Sequence, residues 1–237
     1  MSFGLVASLA WGCRSADVGA RGGAQVRWHG SLRAMMHEGR TAAAVSLGEL
    51  LPDPHLYAIG ALEGLAGEIT VIAGEVWISM PGDGPGGVVT ERGAYSERGA
   101  VLLVESHVED WHERTIARGV QLEELAEVVL AARPAGMAVA FVLEGRATIE
   151  GHVVDGRKLE PGSDHAAHRR ASVRVGTESE PAVAVGFASR SHEGVFTHRG
   201  ESLHVHALLP ERGLTVHVDS MQLEPGARLR LPARSAR

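Results

Sequence analysis

The spacing of apolar residues divides the chain into two styles. Between residues 31 and 132 helical and alternating stretches are mixed, whereas after Pro134 the apolar runs read almost wholly as strand. In 31-SLRAMMHEGR-40 the apolar positions fall at helical spacing, Ser31 can cap the first turn, and Gly39 suits the end. A second short helix is expected over 46–51, stopped by 52-PDP-54. The segment 57-YAIGALEGLAGEITVIAGEVWIS-79 is punctuated by glycines. Its second half is β-rich at 69–72 and 76–78, with a hairpin turn at Ala73-Gly74. After an exposed loop, 81-PGDGPGG-87, strands are expected near 88–90 and 101–105. The stretch 121-QLEELAEVVLAA-132 reads as an amphipathic helix ended by Arg133-Pro134. Beyond it, strands are predicted over 138–143, 147–152, 171–175 and 182–188, with His165 and His168 in a polar loop between them. A histidine-rich hairpin and 221-MQLEPGARLRLP-232 complete the β pattern. A mixed first half followed by an antiparallel second half makes an α+β chain with a boundary near 134.

The hairpin, 203-LHVHALLPERGLTVHVD-219, carries the candidate chemistry. Pro210-Glu211-Arg212-Gly213 has turn composition, and the flanks alternate. With Leu209 opposite Leu214, His206 faces His217 and His204 faces Asp219. One face then holds His204, His206, Leu208, Thr215, His217 and Asp219, and the other only Val205, Ala207, Leu209, Leu214, Val216 and Val218. Facing Cβ atoms lie about 4.5–5.5 Å apart, close enough for three imidazoles to share one ion. One such histidine is ordinarily a polar surface residue; the third, directly across the hairpin from a His-x-His pair, points to a metal. Three imidazoles leave a coordination position open, as catalytic sites do. The donor set suits Zn2+, and equally Cu, Ni or Fe. Asp219 either orients a ligand imidazole or caps the strand end.

Composition narrows the field. At 237 residues, 44% apolar and 22% charged, the chain fits one large globular domain or two small ones. A net charge of −6, no basic stripe and 4% aromatics exclude nucleic acid as a partner. One cysteine, Cys13, excludes a disulfide framework and a cysteine-based zinc cluster. The opening 1-MSFGLVASLAWGC-13 is too short to span a bilayer, so no transmembrane segment is expected there. It reads either as a lipoprotein signal with Cys13 as the lipidated residue or as an unpacked leader, which leaves the compartment open between cytoplasm and export. Residues 1–24 form this leader and a Gly/Ala-rich tether, and the folded part begins near Gln25.

Taken in order, 25-QVRWHGSLRAMM-36, 46-SLGELL-51, 59-IGALEGLAGEITVIAGEVW-77, 182-AVAVGF-187 and 203-LHVHALLPERGLTVHVD-219 resemble the α-acetolactate decarboxylases, from about Gln25 to Pro232. The late histidine spacing is the most specific element and the Gly67-Glu68 segment the next. The resemblance implies an N-terminal domain on a mixed sheet with helices, residues 25–134, and a C-terminal antiparallel β-barrel-like domain, residues 135–237, with the metal between them. It implies His204, His206 and His217 as ligands of a Zn2+ or other divalent transition metal. It also implies Glu68 as a metal-site carboxylate, a proton donor or an additional ligand; taken alone, Glu68 reads as a surface carboxylate at a strand edge. The activity implied is that of a carboxy-lyase. It would turn 2-acetolactate, a small 2-hydroxy-3-oxo acid, into acetoin and CO2 through a metal-held enediolate, with a homodimer as an open assembly.

Two positions depart from the family pattern. The arginine expected shortly after the glycine of a strand turn is replaced, counting from Gly145, by His152-Val153, so His152 is the catalytic candidate there. Arg146 and Arg190 are alternative replacements. The family's second glutamate near its C-terminus has no counterpart before Arg237. These departures leave two other readings open: the same chemistry, decarboxylation or isomerisation, on another small α-hydroxy-β-keto acid, or a relative that binds metal or ligand without turnover.

Overall fold

Each pairing between the strands is antiparallel in the computed structural model, which describes residues 24–50, 53–84, 86–93, 97–132, 134, 136–159, 163 and 165–233. The leader with Cys13 lies outside the described residues. Two seven-stranded sheets make up the fold. The first contains β1 (Val26–His29), β2 (Val45–Ser46), β3 (Leu56–Leu62), β4 (Glu68–Ile72), β5 (Glu75–Pro81), β6 (Val88–Arg92) and β7 (Gly99–His107). Its order is β1-β7-β3-β4-β5-β6, with β2 also on β7. The second contains β8 (Trp111–Thr115), β9 (Val120–Gln121), β10 (Val139–Val153), β11 (Val173–Ala188), β12 (Leu203–Leu209), β13 (Leu214–Leu223) and β14 (Arg228–Pro232), ordered β8-β14-β10-β11-β12-β13-β9.

Local sequence explains most elements. Helix α1 (Leu32–His37) starts where the Ser31 hydroxyl accepts from the Ala34 N–H at 3.2 Å. The helix expected over 46–51 is a single 3-10 turn, Leu47–Glu49, capped by Ser46. Ala73 and Gly74, both at positive φ (51° and 78°), form the two-residue turn between β4 and β5. Helix α2 (Leu122–Leu130) opens with a capping box between Gln121 and Glu124.

Several expectations are corrected. The first sheet is antiparallel, not mixed: short connections join β3, β4, β5 and β6 in succession, which forces antiparallel pairing there, and the pairs that β7 makes with β1, β2 and β3 are antiparallel as well. The second is curled but not a closed barrel. Residues Val142–Glu144 of β10 pair with β14 and Ala147–His152 with β13, which bends β10, while β8 and β9 remain at the two ends. The strands expected separately at 138–143 and 147–152 are one strand, with a bulge between Ala147 and Ile149, and those at 171–175 and 182–188 are likewise one. Strand β3 was hidden because every one of its residues is buried, so it does not alternate. The polar loop holding His165 and His168 is helix α3 (His165–Ala171). Finally, β8, β9 and α2 precede residue 134 yet belong with the second sheet. The chain changes sheets between His107 and Trp111, because Ile116, Val120, Leu125 and Val129 pack into that sheet's core.

One apolar cluster lies between α2 and the second sheet, and another, including Ile59, Leu102, Val142, Val185 and Phe187, joins the two sheets. Among the described residues no helix is long and apolar enough to cross a membrane.

Between β10 and α3, the buried Asp155 carboxylate caps a 3-10 turn by accepting from the Arg157 N–H. It also meets Arg157 Nε at 2.8 Å and Lys158 Nζ at 3.0 Å, which hold its pKa down at about 2. Asp155→Asn is expected to cost about 1–2 kcal/mol of stability at pH 7. A depressed carboxyl stabilises above its unfolded pKa and loses that contribution as pH falls through the folded one. The difference between parent and variant in urea unfolding should therefore shrink between about pH 4 and pH 2.

Candidate metal centre

Strands β12 and β13 form the expected hairpin, with a loop over 210–213, Gly213 at φ 61°, and Leu209 opposite Leu214. His206 faces His217. Val205, Ala207, Leu209, Val216 and Val218 enter the second sheet's core, so the opposite face of the hairpin is pressed against the first sheet. The expected pairing of His204 with Asp219 does not form. The β12–β13 ladder ends at His206 and His217, and a bulge after Glu150 passes β13 on to β10, where His217 also faces His152. Asp219 instead accepts from His152 Nδ1 at 3.0 Å and from Arg174 Nη1 at 2.8 Å.

The structure brings His204, His206 and His217 together, with one nitrogen from each within 4.8 Å of the others and ring centroids 5.0, 5.2 and 5.4 Å apart. Burial drives all three imidazoles towards neutrality: His206 falls to about 3, and His204 and His217 fall well below their ordinary value, helped by neighbouring imidazoles. The Thr70 hydroxyl meets His206 Nδ1 at 3.2 Å. His206 Nε2 and His204 Nδ1 are buried with no hydrogen-bond partner among the described residues. Neutral imidazoles with unspent buried nitrogens are what a divalent transition metal requires, so the donor set fits Zn2+.

Glu68 begins β4, after Gly67 at φ 156°, where a β-carbon would meet the Ser79 carbonyl oxygen at 2.3 Å. Only 4% exposed, it is not a surface carboxylate. Its Oε1 accepts from the Val154 N–H at 3.0 Å, and its Oε2 lies 3.7 Å from His206 Nε2. Burial raises its pKa to about 7, against the pull of His152 and the Val154 N–H, with Asp219 adding to the rise. A carboxyl poised near neutrality can donate or accept a proton. The His152 ring lies 4.7 Å from that of His217.

A cavity of about 60 Å³ opens onto this cluster, lined by Glu68, His152, His204 and His217 and by the apolar Leu32, Met35 and Leu65. Arg146 and Arg190 are not among its lining; they are exposed, on Ser179 and Glu127 respectively. The cavity wall instead includes Arg169 and His168 of α3 and His198 of the β11–β12 connection. Sequence reading missed His198, whose ring lies 5.6 Å from that of His217, because no spacing rule ties an irregular loop to a strand face.

His206→Ala is expected to abolish stoichiometric divalent metal in elemental analysis, since two imidazoles bind far more weakly than three. His168→Ala, on the cavity wall but outside the cluster, should keep the metal. Equal metal content in parent and His206→Ala would show the histidines to be ordinary polar residues.

No protein-family model matches the sequence, and a search of curated proteins returns no match. Solved structures do match. Acetolactate decarboxylase from Bacillus subtilis subspecies spizizenii superposes with a TM-score of 0.70 at 14% identity, covering 88% of this chain and 85% of that one. α-Acetolactate decarboxylase from Bacillus subtilis strain 168 gives 0.66 at 15% identity, with 88% and 86% covered. A Staphylococcus aureus protein of unknown function, similar to α-acetolactate decarboxylase, gives 0.68 at 14% identity, with 87% and 84% covered. The resemblance in the sequence holds at the level of the fold: this chain has the fold of the acetolactate decarboxylases.

Proposed function

We propose that the chain is a metal-dependent carboxy-lyase that converts 2-acetolactate to acetoin and CO2. The observation that carries this reading is the meeting of Glu68, from the first sheet, with His206, from the second, at 3.7 Å inside a fold shared with acetolactate decarboxylases. A divalent cation, with Zn2+ first among the candidates, held by His204, His206 and His217 would supply Lewis acidity for the electron pair left when the carbon–carbon bond to CO2 breaks. Glu68 in its acid form then gives its proton to the carbon that has lost CO2, and water restores it. The Val154 N–H fixes the Glu68 carboxyl, so protonation is directed to one face. In the imidazolium form, in which both ring nitrogens donate, His152 would give Nδ1–H to Asp219 and Nε2–H to the substrate carboxylate. Leu32, Met35 and Leu65 keep that end of the site apolar and strengthen each electrostatic contact within it.

The histidine at position 152 supports a second reading, in which the same chemistry acts on another small α-hydroxy-β-keto acid. An imidazole lacks the two-pronged grip of a guanidinium on a carboxylate. One incubation tests the first reading: zinc-loaded protein with racemic acetolactate, scored for acetoin and CO2. Turnover is expected, and inert, metal-loaded protein would remove acetolactate as the substrate.

Glu68→Gln should retain fold and most of the metal while lowering kcat by roughly 10²–10⁴, the worth of a positioned acid. Because the protonated form is the active one, the parent's rate should fall as pH rises through the Glu68 ionisation, and that limb should be missing from the variant. A parental rate in Glu68→Gln would deny Glu68 a catalytic role.

A further inference from the structure

Beside the inner cavity lies a much larger one, about 750 Å³, and the two share Leu32, Met36 and His198 as walls. Its lining includes Arg33 of α1 together with Thr197 and Arg199 of the β11–β12 connection. Thr197 is fully buried, yet its hydroxyl has no hydrogen-bond partner among the described residues. A native fold rarely leaves a buried hydroxyl unsatisfied, and an unmatched one is a candidate ligand contact. Its position is set by its own loop, in which the Thr197 carbonyl accepts from the Gly194 N–H at 2.8 Å and the Thr197 N–H donates to the His192 carbonyl at 3.3 Å. Gly194, at φ 73° in the same loop, lies beside the Arg33 guanidinium, whose Nε and Nη2 would be 3.7 Å from a β-carbon built there.

The charges point the same way. Arg27, Arg92, Arg98, Arg157, Arg228 and Arg230 each rest on a carboxylate, whereas Arg33 and Arg199 make no such contact among the described residues. The acids in the cavity are poor competitors for them. Glu193 is engaged with the Gly200 N–H at 3.3 Å, and Glu201 is raised by burial and by Asp219, so it holds a proton more readily than a free carboxyl. A chain with a net charge of −6 repels small anions at long range, and a local cluster of guanidiniums beside the reaction cavity offsets that repulsion.

We propose that the outer cavity is a binding subsite for an oxyanion, a carboxylate or phosphate group, held by Arg33, Arg199 and the Thr197 hydroxyl. Resting on the decarboxylase reading above, the preferred substrate is then a 2-hydroxy-3-oxo acid that carries a second anionic group at its far end. The reacting end occupies the inner cavity and the second anion the outer one, which explains an outer cavity far larger than a five-carbon acid needs.

Inorganic phosphate is the probe for the subsite itself, titrated calorimetrically into the full-length chain with and without zinc. The parent should bind it. Arg33→Gln/Arg199→Gln should weaken binding about 10-fold or more, and Thr197→Val should weaken it several-fold without loss of fold. Arg114→Gln, at an exposed arginine away from the cavity, should bind as the parent does. Absent binding, or binding unchanged in both cavity variants, overturns the subsite. With substrates, the parent should favour, in kcat/KM and through KM, an acetolactate analogue extended on its 3-oxo side by a carboxylate. The double variant should lose that preference while keeping the parental kcat on acetolactate. Equal kcat/KM for the two acids in the parent overturns the extended-substrate proposal. If the parent turns over neither acid yet binds phosphate through these residues, the decarboxylase reading falls and the subsite stands.

Discussion

The polar face of the β12–β13 hairpin is buried against another sheet, and the rest of the site depends on that burial. Its polar groups reach partners there: Thr215 N–H donates to Ser79 Oγ at 2.9 Å, and Thr70 meets His206 at 3.2 Å. In return Val154, the residue that follows β10, offers its N–H to Glu68. Buried polar groups are costly unless satisfied, so these cross-sheet bonds specify how the sheets sit on one another as well as holding them together. The apolar cluster of Ile59, Leu102, Val142, Val185 and Phe187 supplies the non-directional attraction beside them.

The same burial sets the chemistry. It discourages charge on imidazole and carboxyl alike, so the three histidines stay neutral, ready to donate lone pairs, while Glu68 is drawn up to about 7. A surface hairpin with the same sequence would have solvated, partly protonated histidines. The row His206–His217–His152 across β12, β13 and β10 extends the cluster towards Asp219 and Arg174, which anchor His152 from its outer side. The inner cavity therefore has a rigid floor of strands, whereas its roof and approach come from α1, α3 and the β11–β12 connection. Strand-borne groups hold geometry for chemistry, and loop-borne groups around them select what enters.

Local sequence determined a good deal by itself. Alternation and turn chemistry place Leu209 opposite Leu214 and so align His206 with His217, because a two-fold period leaves no freedom once the turn is set. The caps at Ser31 and Gln121 and the Ala73-Gly74 turn are equally local. Tertiary structure decided what depended on distant partners. Strand β3 is buried on both faces and loses its alternation. β8, β9 and α2 join the second sheet because their apolar faces fit its core. The bulge in the β10–β13 ladder takes Asp219 from His204 to His152. His198 and Thr197 reach the cavities through a loop with no periodic signature. Glu68 is the sharpest instance. In sequence it is one carboxylate after a glycine. Only the packing of two sheets removes it from water and sets it 3.7 Å from an imidazole 138 positions along the chain, since burial and proximity are properties of the folded surface and not of the residue.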